Sequence, residues 1–375
     1  MKPKDSSFMT YDPLFQMTPQ IIKYLGKIEA AKEIVDTLTL PLSLEKEFRQ
    51  EASFKMAHYS TKIEGNRLTL KQTKELLTGK DIIARQIDKL EVRNYYHCLE
   101  WIYRMCHSRV PFSEQWIKVI HGLIQKDIVE GKLRGQYREA QNAIYDSQTN
   151  KAVYFPPESK DVHLLMKSLV KWLNQKNDTH PILKAGIAHY QLVSIHPFMD
   201  GNGRTARALA TFLLYREKYD LKQLYSLENY YSEDLKGYYA ALHECQGLHY
   251  YENSSPNITR WLDYFSKGVA IVFEEIKEKT LLAIQKYSFP ENKANIKLLQ
   301  SITPRQRKVL TYFSHHPQVR TKNISSLFHI KDRTARDLLT KWIQEGFIKR
   351  QGQGKKDSYY VLSETYWHLI DKNVE

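Results

Sequence analysis

Cysteine is scarce in this sequence and its positions are scattered. The 375 residues include three cysteines, at Cys98, Cys106 and Cys245, and no pair has Cys-x-x-Cys spacing. An odd count without such a pair argues against a disulfide framework and against a structural zinc site. Chains without disulfides are typical of reducing compartments, so we expect a cytoplasmic protein.

Long apolar runs are also missing. No stretch approaches the roughly 20 apolar residues that a membrane-spanning helix needs, and residues 1–7 lack the apolar segment of a secretory signal. We therefore expect no membrane partner. Glycine is infrequent, with 15 residues against 25 tyrosines, which favours helices over a loop-rich chain.

Positive charge is concentrated near the C-terminus. The net charge is +14, and residues 291–375 hold 16 Lys/Arg against 8 Asp/Glu, an excess of +8. Such a local excess indicates either a nucleic-acid surface or a solvated basic face.

Apolar residues recur mostly at three- and four-residue spacing, which predicts a mainly α protein. The clearest helical stretches are 90–105, 162–173, 182–195, 206–215 and 258–284. Residues 143–155 differ, because two short β-prone ends enclose a polar centre, and they predict a β-hairpin.

The C-terminal part has a pattern of its own after a predicted linker at 288–303. Three helices are expected over 305–315, 323–328 and 332–345, followed by strands at 347–350 and 359–362. This order resembles a winged helix-turn-helix. Its third helix opens with Lys331, Arg333 and Arg336, and basic residues Lys349, Arg350, Lys355 and Lys356 follow in the predicted wing. Contact with DNA and contact with a protein both remain open for this module.

The most informative segment is residues 195–207, which read I-H-P-F-M-D-G-N-G-R-T-A-R. Glycines at a helix start let backbone N–H groups close around a phosphate. Asp200 is an oxygen ligand suited to Mg²⁺, and His196, biased toward an extended conformation by the following proline, is placed to take a proton. Arg204 and Arg207, three apart, share a helix face and suit a polyphosphate.

This segment resembles the Fic motif, His-Pro-Phe-x-Asp/Glu-Gly-Asn-Gly/Lys-Arg, at every position, and the resemblance extends over roughly residues 45–250. It implies a mainly α fold, in which a Fic helical core bears the hairpin 143–155 as a flap and a C-terminal winged helix-turn-helix domain follows. It also implies a protein adenylyltransferase, which moves AMP from ATP to a Ser, Thr or Tyr hydroxyl of a target protein. The cofactors implied are ATP and Mg²⁺, with Mn²⁺ as a substitute.

The resemblance assigns a role to each motif position. His196 matches the general base and Asp200 the Mg²⁺ ligand, while the flap matches the surface that docks the target. Nucleotide contacts are implied for Gly201, Asn202, Gly203, Arg204, Arg207, Tyr239 and Gln246. The Doc branch, which phosphorylates, has Ala and Lys in place of the two glycines, so Gly201 and Gly203 imply an exposed α-phosphate.

A second segment, residues 60–66, reads S-T-K-I-E-G-N and resembles the family's inhibitory motif, Ser/Thr-x-x-x-Glu-Gly/Asn. Ser60 and Glu64 are four apart on a predicted helix that Gly65 ends. The resemblance implies that Glu64 pairs with Arg207 and keeps this arginine from the γ-phosphate. We call residues 60–66 the inhibitory segment.

Three domains are therefore expected. They are an N-terminal helical region at 1–110 that carries an inhibitory helix at about 45–65, a catalytic core at 111–285, and a winged-helix domain at 300–375. A homodimer is compatible with this organisation. Two other functions remain open: a DNA-binding transcription regulator whose Fic core is a sensor, and removal of AMP at the same site.

Overall fold

A computed structural model describes residues 11–370 with gaps at 109, 146–148, 177, 253–255, 288–297, 299–300, 315 and 353–357. The chain divides into two compact units. Unit 1 comprises Met1–Val35 and Arg49–Lys277, and unit 2 comprises Asp36–Phe48 and Glu278–Glu375. The three-domain division expected above remains a prediction.

Unit 1 is built almost entirely of helices, which confirms the mainly α prediction. In chain order the helices are α1 (Pro19–Thr37), α2 (Leu42–Ile63), α3 (Leu70–Leu77), α4 (Gln86–Met105), α5 (Glu114–Ile124), α6 (Val162–Asn174), α7 (Pro181–Ile195), α8 (Asn202–Arg216), α9 (Leu227–Glu233), α10 (Leu235–Gln246) and α11 (Thr259–Tyr287). The ends of α1 and α11 and the start of α2 extend into the residue ranges of unit 2. Among the described residues, no helix is both long and apolar enough to cross a membrane.

The centre of unit 1 is the pair α7 and α8. Both helices are buried on nearly every side; α7 is largely apolar, whereas α8 also carries polar and charged residues. Their neighbours α4, α5 and α6 pack around them. Two arginines of α8, Arg204 and Arg207, are nevertheless buried in this core, with 3% and 2% of their surface exposed. A charge in such a place needs hydrogen-bonding partners, which the fold must bring from other helices.

One hairpin interrupts the helices. Strands β1 (Ile144–Tyr145) and β2 (Ala152–Tyr154) pair antiparallel, with Ile144 opposite Tyr154. The hairpin predicted over 143–155 is thus present with shorter strands, and part of its polar centre, residues 146–148, lies outside the described residues. Its base is fixed to the core, since the Tyr154 hydroxyl donates to the Ser194 carbonyl at 2.9 Å.

Unit 2 has its own core. Its helices are α12 (Pro304–Phe313), α13 (Thr321–Phe328) and α14 (Asp332–Gln344), followed by β3 (Ile348–Gln351) and β4 (Tyr359–Leu362). The two strands pair antiparallel with Ile348 opposite Leu362, and Leu310, Leu339 and Trp342 are buried among the helices. The order of elements is the expected one, while the identification as a winged helix remains a prediction. Lys355 and Lys356 lie outside the described residues.

Close packing in unit 1 leaves little room for a side chain at Gly186. A Cβ on Gly186 of α7 would lie 2.9 Å from Cδ1 of Phe265 in α11, and the Trp261 indole donates to the Gly186 carbonyl at 2.7 Å. A Cβ on Gly122 of α5 meets no atom within 4 Å.

We therefore expect opposite effects from the same substitution. Gly186→Ala should lower the free energy of unfolding by about 1–3 kcal/mol, because the methyl group overpacks the contact. Gly122→Ala should raise it by about 0.5–1 kcal/mol, because alanine favours the helix. Urea unfolding of the two variants measures both, and equal stability would contradict the packing described here.

Candidate active site

The loop between α7 and α8, residues 196–201, is held in place by hydrogen bonds and ring stacking. Asn202 accepts a hydrogen bond from the Phe198 N–H at 2.9 Å and donates to the Phe198 carbonyl at 2.8 Å. The buried Phe198 ring stacks on His121, with ring centroids 3.7 Å apart. We call residues 196–201 the motif loop. Asn202 and Phe198 therefore hold the motif loop in place at the start of α8.

His196 ends α7 in the left-handed conformation, with φ 51° and ψ 57°. The extended conformation expected from the following proline is therefore wrong. The helix end decides the matter, since the His196 N–H still donates to the Leu192 carbonyl at 2.9 Å, while its own carbonyl accepts from Arg138 Nε at 2.9 Å. Both bonds require the chain to turn sharply at this residue.

The His196 ring is oriented for accepting a proton. Its Nδ1 lies 3.3 Å from the Val193 carbonyl, and because a carbonyl only accepts, Nδ1 carries the ring proton. The lone pair is then on Nε2. Burial lowers the pKa of His196 to about 4, so the ring is neutral at pH 7. A neutral imidazole with a free Nε2 is the form that a general base requires.

Asp200 is the most exposed charged group of the motif loop, with 61% of its side chain accessible. Its Oδ2 accepts a hydrogen bond from Gln125 Nε2 at 3.0 Å and lies 3.4 Å from Arg204 Nη2. Its carbonyl lies 3.1 Å from Nε2 of His121, whose Nδ1 accepts from the Gly135 N–H. The carboxylate is thus oriented by α5 while its surface stays open.

A single oriented carboxylate suits Mg²⁺, which is usually held by one or two carboxylates together with substrate phosphates. Among the described residues, no group of three or more His, Cys, Asp or Glu side chains forms a ready-made metal cage. The donor set of the motif loop therefore fits a metal that arrives with a polyphosphate.

Arg204 points back into the protein. Its Nη1 donates to Glu91 Oε1 of α4 at 2.9 Å, and only 3% of the arginine side chain is exposed. Glu91 Oε2 accepts in turn from Asn66 Nδ2 at 2.8 Å. Glu91 therefore links Asn66, the last residue of the inhibitory segment, to Arg204.

Arg207 makes the contact expected of the inhibitory segment. Its Nη2 donates to Glu64 Oε1 at 2.8 Å and to the Ser60 carbonyl at 2.8 Å, and its Nε donates to Ser60 Oγ at 2.9 Å. The arginine side chain is 1% exposed and that of Glu64 31%. The position of Gly65 also agrees with the sequence, since α2 ends at Ile63 and Gly65 has φ 92°.

The Glu64 carboxylate lies against the start of α8. A Cβ on Gly203 would collide with Glu64 Oε1, and it would lie 3.2 Å from Arg207 Nη1. A helix N-terminus with a buried arginine beside it favours an anion. Glu64 is the anion that occupies this position in the structure.

Tyr239 and Gln246, two of the residues for which the family resemblance implies a nucleotide contact, differ in accessibility. Tyr239 is 39% exposed, whereas Gln246 is buried and donates to Ser194 Oγ at 2.9 Å. Glu64 acts electrostatically on Tyr239, which places this ring near the anion position. Gln246 therefore holds α10 against α7, and its role toward a nucleotide remains a prediction.

Sequence reasoning did not find Gln125, Glu91 or His121. No motif marks them, and each lies more than 70 residues from the atoms it holds in the motif loop or α8. The only signal is that Glu91 and His121 are polar residues among the apolar residues of helices α4 and α5, and that Gln125 directly follows α5.

Comparison with known proteins agrees with this geometry. Residues 111–214 match the model of the Fic/DOC family. The protein adenylyltransferase Fic of Drosophila grimshawi is 34% identical over 177 residues, which cover 46% of this chain and 35% of that protein. Fic-1 (aa134–508) from C. elegans superposes with a TM-score of 0.56 at 26% identity, covering 71% of this chain and 73% of that chain.

A Fic family protein from Desulfovibrio desulfuricans G20 shares the fold more widely. Its TM-score is 0.61 at 21% identity, and the match covers 94% of this chain and 99% of that chain. The chain therefore contains a Fic domain. It is similar to proteins named protein adenylyltransferase Fic, and it spans about a third of the length of the curated relatives it matches.

The pKa of His196 is directly measurable. Because burial disfavours the imidazolium, the ring should stay neutral as the pH falls and gain a proton only near pH 4. Histidine-labelled protein observed by NMR, with the signal assigned from its absence in His196→Ala, gives the titration. A midpoint near the ordinary value of about 6.5 would contradict the buried, neutral ring.

Proposed function

We propose that this chain transfers AMP from ATP to a Ser, Thr or Tyr hydroxyl of a target protein, and that Glu64 inhibits the transfer. One observation carries the proposal. The Glu64 carboxylate lies at the start of α8 beside Arg207, where an anion is stabilised by both the helix and the guanidinium. The names of the curated relatives support the same activity.

His196 acts as the general base in this proposal. Its Nε2 takes the proton of the target hydroxyl as the hydroxyl oxygen forms a bond to the α-phosphorus. The bond between the α-phosphorus and the bridging oxygen breaks, and pyrophosphate leaves with that oxygen. The hydrogen bond from Nδ1 to Val193 keeps the ring in the tautomer that this step needs.

The positive groups around the start of α8 stabilise the charge on the phosphates. Arg207 reaches the γ-phosphate when Glu64 withdraws, and Arg204 is held beside the motif loop by Glu91. Gly203 leaves room for an anion at the helix start, where the Glu64 carboxylate lies in the structure, whereas a Cβ on Gly201 would collide with the Gln125 side chain. In phosphoryl-type transfer such positioning and charge neutralisation supply most of the rate.

Asp200 would hold Mg²⁺ against the phosphates, with Mn²⁺ as a substitute. The metal, when bound, neutralises phosphate charge. Gln125 orients the carboxylate by donating to Oδ2.

The target chain docks on the flap, residues 143–155. β1 and β2 form an isolated two-stranded ladder, and Tyr145 is 59% exposed. An edge of this kind binds an extended peptide as an added strand. The Arg138 side chain donates to the His196 and Pro157 carbonyls. It therefore fixes the chain next to the flap relative to His196, the general base.

Glu64→Gly should raise AMP transfer, because it removes the carboxylate that competes with the γ-phosphate. The increase is about 10-fold if the inhibited state is favoured by about 1.4 kcal/mol. Glu64→Asp should release the inhibition in part, since the charge stays while the reach shortens. Arg207→Ala should stay inactive, because it also removes a phosphate ligand. Incorporation of α-labelled ATP into protein bands of a lysate measures the transfer.

The matched control is Lys62→Gly. Lys62 is exposed in the last turn of α2, two residues before Glu64, so this variant loosens the helix end and keeps the carboxylate. Activation by Lys62→Gly to the same degree, or no activation by Glu64→Gly, would refute inhibition by the carboxylate. Loss of label from modified protein, in place of incorporation, would instead indicate AMP removal.

His196→Ala and Asp200→Asn, each in the Glu64→Gly background, test the base and the metal ligand. His196→Ala should slow transfer by about 10²–10⁴-fold while nucleotide binding persists, because the loop side chain adds little to the phosphate site. Asp200→Asn should abolish the response to added Mg²⁺. Undiminished transfer by His196→Ala, or full transfer in excess EDTA, would remove the respective role.

For unit 2 we propose contact with duplex DNA through the start of α14. Lys331, Arg333 and Arg336 are exposed there, while Ala335 and Leu339 are buried. A helix that follows a helix–turn and presents basic residues at its start suits the major groove.

The double substitution Arg333→Ala/Arg336→Ala should weaken DNA binding and flatten its salt dependence. The binding constant falls as the salt concentration rises, and each lost phosphate contact should reduce the steepness of log K against log salt concentration by about 0.9. Lys341→Ala, at the other end of α14, is the matched control and should change little. Binding to duplex DNA measured by fluorescence anisotropy at several salt concentrations decides, and an absence of binding at low salt would indicate a protein partner.

A further inference from the structure

A buried glutamine contacts the exposed carboxylate of the motif loop. Gln125 directly follows the last residue of α5 and has none of its surface exposed. Its Nε2 donates to Oδ2 of Asp200 at 3.0 Å, across 75 residues of sequence. The Asp200 side chain is 61% exposed. A carboxylate open to solvent is therefore held by a side chain that solvent does not reach.

The chemistry of this contact fixes the orientation of the Gln125 amide. An ionised carboxylate only accepts, so the amide presents its Nε2 to Asp200 and its Oε1 elsewhere. Oε1 is buried and has no hydrogen-bond partner among the described residues. A buried acceptor without a partner costs about 1–3 kcal/mol. A glutamine is therefore a poor choice for stability at this position, since an apolar side chain of the same length would leave no acceptor unpaired.

The same amide lies against Gly201. A Cβ on Gly201 would collide with it, because the three atoms nearest to that Cβ are Nε2, Cδ and Cγ of Gln125. Gly201 also has φ 77°, a conformation that residues with a side chain adopt only with strain. Gln125 thus reaches Asp200 because the residue after the aspartate has no side chain. This motif glycine makes room for the glutamine as well as for the turn.

A second side chain of α5 holds the main chain of the same aspartate. His121, four residues before Gln125, has its Nε2 3.1 Å from the Asp200 carbonyl. Its Nδ1 accepts from the Gly135 N–H at 2.9 Å, so Nε2 carries the ring proton and donates. The end of α5 therefore fixes both the backbone and the carboxylate of Asp200.

Rotation of the Asp200 carboxylate would be weakly restricted without such a donor, because the terminal torsion of an aspartate is broad and two-fold. Oδ2 receives Gln125 Nε2 at 3.0 Å, whereas Arg204 Nη2 lies 3.4 Å away. The glutamine is the closer of the two donors. Carboxylates that bind metals are usually held by hydrogen bonds, and loss of such a partner costs about 10–100-fold in metal affinity or activity.

We propose that Gln125 is a positioning residue for Asp200, which fixes the carboxylate in the orientation that receives Mg²⁺ together with ATP. Gly201 belongs to the same arrangement, because it leaves the space that the amide fills. The fold tolerates the unpaired Oε1 because the contact serves ligand binding rather than stability. The inference rests on the proposed function, in which Asp200 holds the metal.

Nucleotide binding tests this role without any transfer. In the Glu64→Gly background, fluorescence anisotropy gives the Kd of a fluorescent ATP analogue with a methylene α–β bridge, in EDTA and in excess Mg²⁺. Gln125→Met keeps the length of the side chain and removes the donor. It should lower the ratio of the two constants by about 10-fold, or to the ratio of Asp200→Asn if that is reached first, and leave binding in EDTA unchanged. Its melting temperature without ligand should equal or exceed that of the Glu64→Gly protein, because the unpaired acceptor is gone.

The matched control is Gln115→Met, the same substitution at an exposed position of α5, which should change neither quantity. An unchanged ratio in Gln125→Met, with a loss in Asp200→Asn, would overturn the inference and leave the proposed function standing. Equal weakening in EDTA and in Mg²⁺, or a lower melting temperature with an unchanged ratio, would make Gln125 a structural residue only. A ratio that Asp200→Asn leaves unchanged would refute the metal role of Asp200, and the inference with it. If Gln125→Met does not fold, Gln125→Leu, which also removes the donor, replaces it with the same expected ratio.

Discussion

The structure of unit 1 depends on one buried cation. Arg207 lies in the buried helix pair of α7 and α8, with 2% of its surface exposed. A guanidinium cannot lose its proton there, so the fold must supply acceptors. Ser60, in α2, and Glu64, directly after its end, supply these acceptors. In the proposed function, inhibition depends on the same requirement, because the partly exposed acceptor is the Glu64 carboxylate, which a phosphate replaces.

The surroundings of Arg204 and Arg207 in α8 differ. Arg204 pairs with Glu91, which is itself fixed by Asn66, so this arginine is held in one position. Arg207 pairs with Glu64, which is partly exposed at a helix end. Both contacts reach the inhibitory segment, one at Asn66 and one at Glu64. A displacement of the end of the inhibitory segment therefore affects the surroundings of both arginines.

Much of the fold and part of the site could be predicted from the sequence. The spacing of apolar residues gave α7 and α8, and the motif loop was recognisable because its parts are contiguous. The local prediction for His196 was wrong, since the end of α7 and the Arg138 hydrogen bond outweigh the preference of a residue before proline. Gln125 and Glu91 were not predictable, because a polar residue beside apolar residues of a helical pattern does not show which atom it will meet.

The sequence by itself determined the chemistry available at the start of α8: a base, a carboxylate, two glycines and two arginines within twelve residues. These groups are close in space wherever the chain turns from one helix into the next, because the backbone alone brings them together. Only the tertiary structure decided which carboxylate serves each arginine. Glu64 and Arg207 are 143 residues apart, and Glu91 and Arg204 are 113 apart. Such pairs form because a buried charge must find a partner on whichever helix the packing of the core places beside it.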